Sequence, residues 1–127
     1  MIEVQRILGK GRGVVAKQHL SKETVIEIAP VSVIPAENLS ALDKTEVFKY
    51  YFVRPTEYDE NHSFRGYLVF GLASLCNHSD QPNAQVSWVE DEVGLWCHLR
   101  TRRDIGAGEE VTLFYTNIDE YSRSKFI

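Results

Sequence analysis

Alternation of apolar and polar positions dominates this chain, and it predicts short strands almost throughout. Residues 3–8 alternate as a first strand and stop at Gly9-Lys10-Gly11-Arg12-Gly13, after which residues 13–17 resume extended structure. Residues 24–28 form a β-branched run, and residues 31–34, bracketed by Pro30 and Pro35, predict another strand. From Ala84 the period is again two through Val89; residues 91–94 read as a turn and residues 95–100 as the returning strand of a hairpin. A second turn at residues 103–108 precedes a last strand at residues 110–115. Only one stretch carries a helical period. Leu39, Leu42, Val47, Phe48, Tyr51 and Phe52 fall on one helical face, with Ser40 and Asp43 as capping candidates. The expected fold is mainly β, several small sheets with one short helix.

One interruption does not fit simple patterning. The apolar run Leu72-Ala73-Ser74-Leu75-Cys76 stops at Asn77-His78-Ser79, and a turn-rich segment, Asp80-Gln81-Pro82-Asn83, follows. Polar side chains closing a buried run need hydrogen-bond partners, from the protein or from a ligand.

Composition narrows the classes. The 127 residues suit one domain, and 43% hydrophobic with 25% charged residues is ordinary for a soluble protein. No window approaches a membrane span, and residues 1–6 have no signal-peptide core, so no membrane association is expected. Two cysteines make no disulfide framework, and a reducing, intracellular setting is the expectation. A net charge of −4 argues against direct nucleic-acid binding and leans toward neutral or basic partners. The acidic runs Glu57-Tyr58-Asp59-Glu60 and Glu90-Asp91-Glu92 read as solvated loops, with substrate recruitment the weaker reading.

Candidate chemistry is sparse. Cys76, His78, Cys97 and His98 are metal-ligand types, but strand neighbours Cys97 and His98 point to opposite faces and no C-x-x-C spacing exists. No metal is expected, and both cysteines read as small core residues. Nothing in the sequence activates Cys76 as a nucleophile. Gly9, Gly11 and Gly13 match no phosphate-cradling pattern, leaving a bend or a close ligand approach evenly balanced. Tyr115 ends an apolar strand, and with Tyr50 and Tyr51 it is either core or the wall of a channel for a cation.

Four pieces taken in order resemble the SET-domain family of protein-lysine methyltransferases. They are Gly11-Arg12-Gly13-Val14, Tyr50-Tyr51-Phe52, Asn77-His78-Ser79 with Pro82-Asn83, and Gly108-Glu109-Glu110-Val111-Thr112 ending in Tyr115. The likeness runs over residues 4–118, within a single domain 1–127 whose short tail is 119–127. It is similar in size to the minimal viral and bacterial members. The resemblance implies a β-clip-like fold in which the C-terminal segment forms a pseudoknot. It implies S-adenosyl-L-methionine as cofactor, held by Gly11, Arg12, Gly13, Asn77, His78 and Tyr115. It further implies a lysine channel with Tyr50 and Tyr115 as catalytic residues, and a basic, lysine-containing protein substrate, histone-like, in the cytoplasm or nucleus. Tyr121 and Phe126 are the tail aromatics available to cover the adenine; pinning the tail to the core, or a second subunit completing the lid in a homodimer, are the alternatives. A SET-like binding module without turnover is the rival to an enzyme.

Overall fold

Alternation in the first residues closes into a hairpin, and every later strand is placed relative to it. The computed structural model describes residues 1–59, 61 and 63–121. In chain order its elements are β1 (Ile2–Ile7), β2 (Gly11–Ala16), β3 (Val25–Ile34), α1 (Ala36–Leu42), β4 (Tyr51–Phe52), β5 (Gly66–Val69), β6 (Asn77–His78), β7 (Ala84–Glu90), β8 (Leu95–Thr101), β9 (Glu110–Leu113) and α2 (Ile118–Tyr121). They form a four-stranded sheet of order β1-β2-β9-β6 and a five-stranded sheet of order β4-β5-β3-β8-β7.

β1 and β2 pair antiparallel from Ile2 against Ala16 to Ile7 against Gly11. The turn between them uses the left-handed backbone of Gly9 (φ 80°) and Gly11 (φ 84°), which side chains disfavour. β7 and β8 form the expected hairpin, Ala84 opposite Thr101 through Glu90 opposite Leu95. Its turn is closed by the Asp91 carboxylate, which accepts from the Val93 and Gly94 amides and from Trp96 Nε1.

Two expectations are corrected. The runs on either side of Pro30 are one ten-residue strand, β3. The strand pairs with β8 as far as Pro30 opposite Trp96, then with β5 from Val31 opposite Val69. Pro30 therefore falls at the handover between partners, where a missing amide is tolerated. The stretch from Leu39 to Phe52 is not one helix. α1 ends with Asp43 as its C-cap, and Ser40 lies inside it. Thr45 is extended (φ −120°, ψ 173°), and its hydroxyl accepts from the Val47 amide, starting a separate 3₁₀ turn, Glu46–Lys49. Tyr51 and Phe52 then pair with Leu68 and Tyr67. The apolar stripe still faces inward: Leu39, Phe48 and Tyr51 pack with Ile34, Val53 and Phe64 in a small second core.

The main core lies between the sheets and includes Val14, Leu20, Leu99, Ile105 and Val111 together with both cysteines. β9 supplies its last layer. It runs antiparallel to β2 and parallel to β6, with Asn77 opposite Thr112. The last strand is thus inserted between two earlier ones. Among the described residues no helix is long and apolar enough to cross a membrane.

Candidate active site

The polar residues that interrupt the apolar run at 77 are the point where β6 meets β9. Beyond the paired residues, the Ser79 amide donates to the Leu113 carbonyl (2.8 Å), and the Tyr115 amide donates to His78 Nδ1 (3.0 Å). With Nδ1 accepting, the neutral ring carries its proton on Nε2, which donates to Asp80 (2.9 Å). The Tyr115 hydroxyl donates to the Cys76 carbonyl at 2.6 Å. Burial, followed by the fields of Tyr121, Cys76 and Glu110, pushes this phenol well above its ordinary value, so it stays a neutral donor.

Asn77 is doubly held. Its Nδ2 donates to the Arg12 carbonyl (3.0 Å) and to the Glu110 carboxylate (2.7 Å). A methyl at Gly13 would lie 2.6 Å from Asn77 Nδ2 and 2.7 Å from Glu110 Oε2. The bare backbone there makes room for those two side chains. Asn83, which is 2% exposed, braces β9: its Oδ1 accepts from the Thr112 amide (2.9 Å) and its Nδ2 donates to the Glu110 carbonyl (2.7 Å). Glu27 on β3 accepts from the Leu72 and Ala73 amides (2.7 and 3.0 Å), capping the 3₁₀ turn Leu72–Leu75 that delivers Cys76 and Asn77.

Two cavities meet here. One, of about 270 Å³, is walled largely by apolar and aromatic side chains, among them Phe52, Val86, Trp88 and Leu113. The other, of about 490 Å³, is bordered by Lys10, Arg12, Asn77 and His78. Both share Lys49, Tyr50, Ser74, Tyr115 and Tyr121. Tyr121 packs against Tyr115 (ring centroids 5.2 Å apart) and Phe48 (4.9 Å). Arg12, Tyr50, Asn77, His78, Tyr115 and Tyr121 are therefore gathered at one place. Gly13 stands against Asn77 in β2, Gly11 begins that strand and lines neither cavity, and Phe126 and Glu60 lie outside the described residues. Tyr51 also lines the smaller cavity, but its hydroxyl is committed to Asp43 (2.8 Å).

The cysteines are core residues, each 1% exposed. Burial and the Glu27 charge push the Cys97 thiol up to about 12, and burial raises Cys76 further still, so neither is a thiolate at neutral pH. The acidic residues at 57 and 59 are engaged within their own loop. The Glu57 carboxylate binds the Arg65 guanidinium (Nε 3.3 Å, Nη2 3.0 Å) and the Tyr67 hydroxyl, and Asp59 accepts from Ser63 Oγ (2.6 Å). Sequence reasoning missed Glu27 and Lys10, and it missed the bracing roles of Asn83 and Glu110, although both stood inside quoted motifs, Pro82-Asn83 and Gly108-Glu109-Glu110-Val111-Thr112.

Comparison with known proteins identifies the family. Residues 11–116 match the SET domain family. A Schizosaccharomyces pombe histone-lysine N-methyltransferase, H3 lysine-37 specific, is 31% identical over 90% of this chain and 72% of its own length. A Danio rerio protein-lysine N-trimethyltransferase, SMYD5, is 42% identical over 45% of this chain, which spans only 13% of that relative. The fold superposes on the Neurospora SET domain protein DIM-5, a histone lysine methyltransferase, with a TM-score of 0.64 at 19% identity, covering 90% of this chain and 51% of that one. The chain belongs to the SET domain family and is, by class, a protein-lysine N-methyltransferase.

Proposed function

We infer that the chain, as a single SET domain, transfers a methyl group from S-adenosyl-L-methionine to a lysine of a basic protein. The observation that carries this reading is the shared wall: two cavities of different character meet at Tyr50, Tyr115 and Tyr121. The larger one fits the cofactor chemically. Lys10 and Arg12 on its border suit a carboxylate, Asn77 Oδ1 suits an ammonium, and Tyr115 with Tyr121 offers flat apolar surface to a purine. The cofactor supplies an electrophilic methyl group.

The residues of this chain would handle the amine. Free lysine has a pKa near 10.4 and must lose its proton before it can attack. The charged residues lining the smaller cavity among those described are Lys49 and Arg102, both cations. Lys49 is already paired with Glu46 (3.1 Å), so an ammonium entering there faces chiefly the Arg102 charge and loses hydration, and both effects favour the neutral amine. Tyr115, held neutral, is not its base, so the proton leaves to water. Because the Tyr115 proton is committed to the Cys76 carbonyl, its oxygen presents lone pairs to the cavity, suited to weak C–H···O contacts with a reacting methyl. Tyr50 and Tyr115 would align the amine, which is where positioned enzymes gain most.

Relatives named for histone H3 lysines make a histone-like tail, in nucleus or cytoplasm, the first substrate to try. The test is titration calorimetry with S-adenosylmethionine followed by transfer of radiolabelled methyl to mixed histones and basic peptides. Stoichiometric binding with label on lysine is expected. A chain that binds no cofactor would overturn the reading.

A further inference from the structure

Glu110 lies beside the cofactor cleft yet enters none of the roles above. One of its carboxylate oxygens accepts from Asn77 Nδ2 at 2.7 Å, and the other accepts from the Lys10 ammonium at 3.0 Å. Its side chain is 17% exposed, against 44% for Lys10. It stands on β9 opposite Val15 of β2, two residues before Thr112, which pairs with Asn77. From β9, one side chain therefore ties together Lys10 of the glycine turn and Asn77 of β6, both of which border the cleft.

Its chemical type matters more than its position. A carboxamide can be rotated by half a turn with little change of shape, exchanging oxygen for nitrogen. Among the described residues the Asn77 side-chain nitrogen has two partners, the Arg12 carbonyl and the Glu110 carboxylate, and both can only accept. The amide nitrogen must face them, so Oδ1 must face away from them. The same carboxylate restrains Lys10, whose free ammonium would otherwise roam on the glycine turn.

We propose that Glu110 is a positioning residue that locks the Asn77 carboxamide with its oxygen outward and restrains Lys10 at the rim of the cofactor cleft. The proposal rests on the cofactor reading above. Glu110→Gln tests it, because glutamine keeps the shape but brings its own NH2 group and loses the ion pair. Calorimetry with S-adenosylhomocysteine should show affinity falling about tenfold, the scale of one hydrogen bond to a charged group. The KM for S-adenosylmethionine should rise in parallel, with turnover at saturating cofactor falling far less and the KM for a lysine peptide unmoved. Wild-type binding with equal affinity in the variant overturns the proposal and leaves the cofactor reading intact; wild-type chain that fails to bind overturns both. Should the variant not fold, the wild-type protein decides. By ¹⁵N NMR without ligand, the Asn77 side-chain amide protons should exchange with water more slowly than those of exposed Gln81. Equal exchange rates overturn the lock.

Discussion

Replacing Tyr115 by phenylalanine removes one oxygen whose proton goes to the Cys76 carbonyl at 2.6 Å. Turnover should fall roughly tenfold or more, the scale of one preorganised contact at a reacting centre, with a loss of stability of about 1 kcal/mol from the unpaired Cys76 carbonyl. Full activity in Tyr115→Phe would take the hydroxyl out of the mechanism. Asn83→Ala should behave in the opposite way. It leaves the buried Thr112 amide and Glu110 carbonyl without their partner and should cost about 3 kcal/mol of stability, read by urea unfolding. Single residues were unevenly legible in the sequence. Tyr115, Asn77 and His78 stood out because polar groups closing apolar runs call for an explanation. The bracing roles of Glu110, which sat inside a quoted motif, and of Glu27 did not show, because an acidic residue on a strand looks like a solvated one until its partners, 33 and 45 positions away, are brought beside it.

Among the elements, strands with strict alternation and a local turn were readable, β1 and the β7–β8 hairpin above all. The helix was over-read because one apolar stripe serves α1, a 3₁₀ turn and β4 in succession; the break at Thr45 is a matter of backbone conformation and capping, which periodicity does not register. β4 and β6, two residues each, have no period to detect, and β6 exists only because distant β9 lies parallel to it. The loop at 57–67 shows the same lesson in its charges. Glu57, whose carboxyl is held below its ordinary value chiefly by the Arg65 hydrogen bond, fastens the loop to β5. Glu57→Gln should lower stability by about 1 kcal/mol, given that the ion pair is partly solvated, and leave the salt dependence of methylation unchanged. A flatter salt profile in that variant would restore the loop to substrate steering.

For the whole molecule, alkaline pH pulls activity and stability apart. A lysine amine desolvated among cations should react faster as pH rises from about 7 to 9, as more of it becomes neutral. Stability should move the other way at higher pH. Burial and then the Glu27 charge push the Cys97 thiol from 9.0 to about 12, and burial and then Glu120 push the Tyr121 phenol from 10.0 to about 12. The folded chain keeps those protons while the unfolded chain releases them above pH 9 and pH 10, so this stabilisation is whole below pH 9 and drains away toward pH 12. A urea midpoint as high at about pH 10.5 as at pH 8 would contradict it. The insertion of β9 between β2 and β6 has a further consequence, for the way the protein comes into being. On a ribosome, both edges of that slot emerge before the strand that fills it. Asn77 then waits without Glu110 and Asn83 without Thr112, and the cofactor cleft lacks Tyr115 and Tyr121, which follow β9. Competence to bind should therefore arrive in a single late step, and S-adenosylmethionine added during refolding should trap the finished fold without hastening its formation.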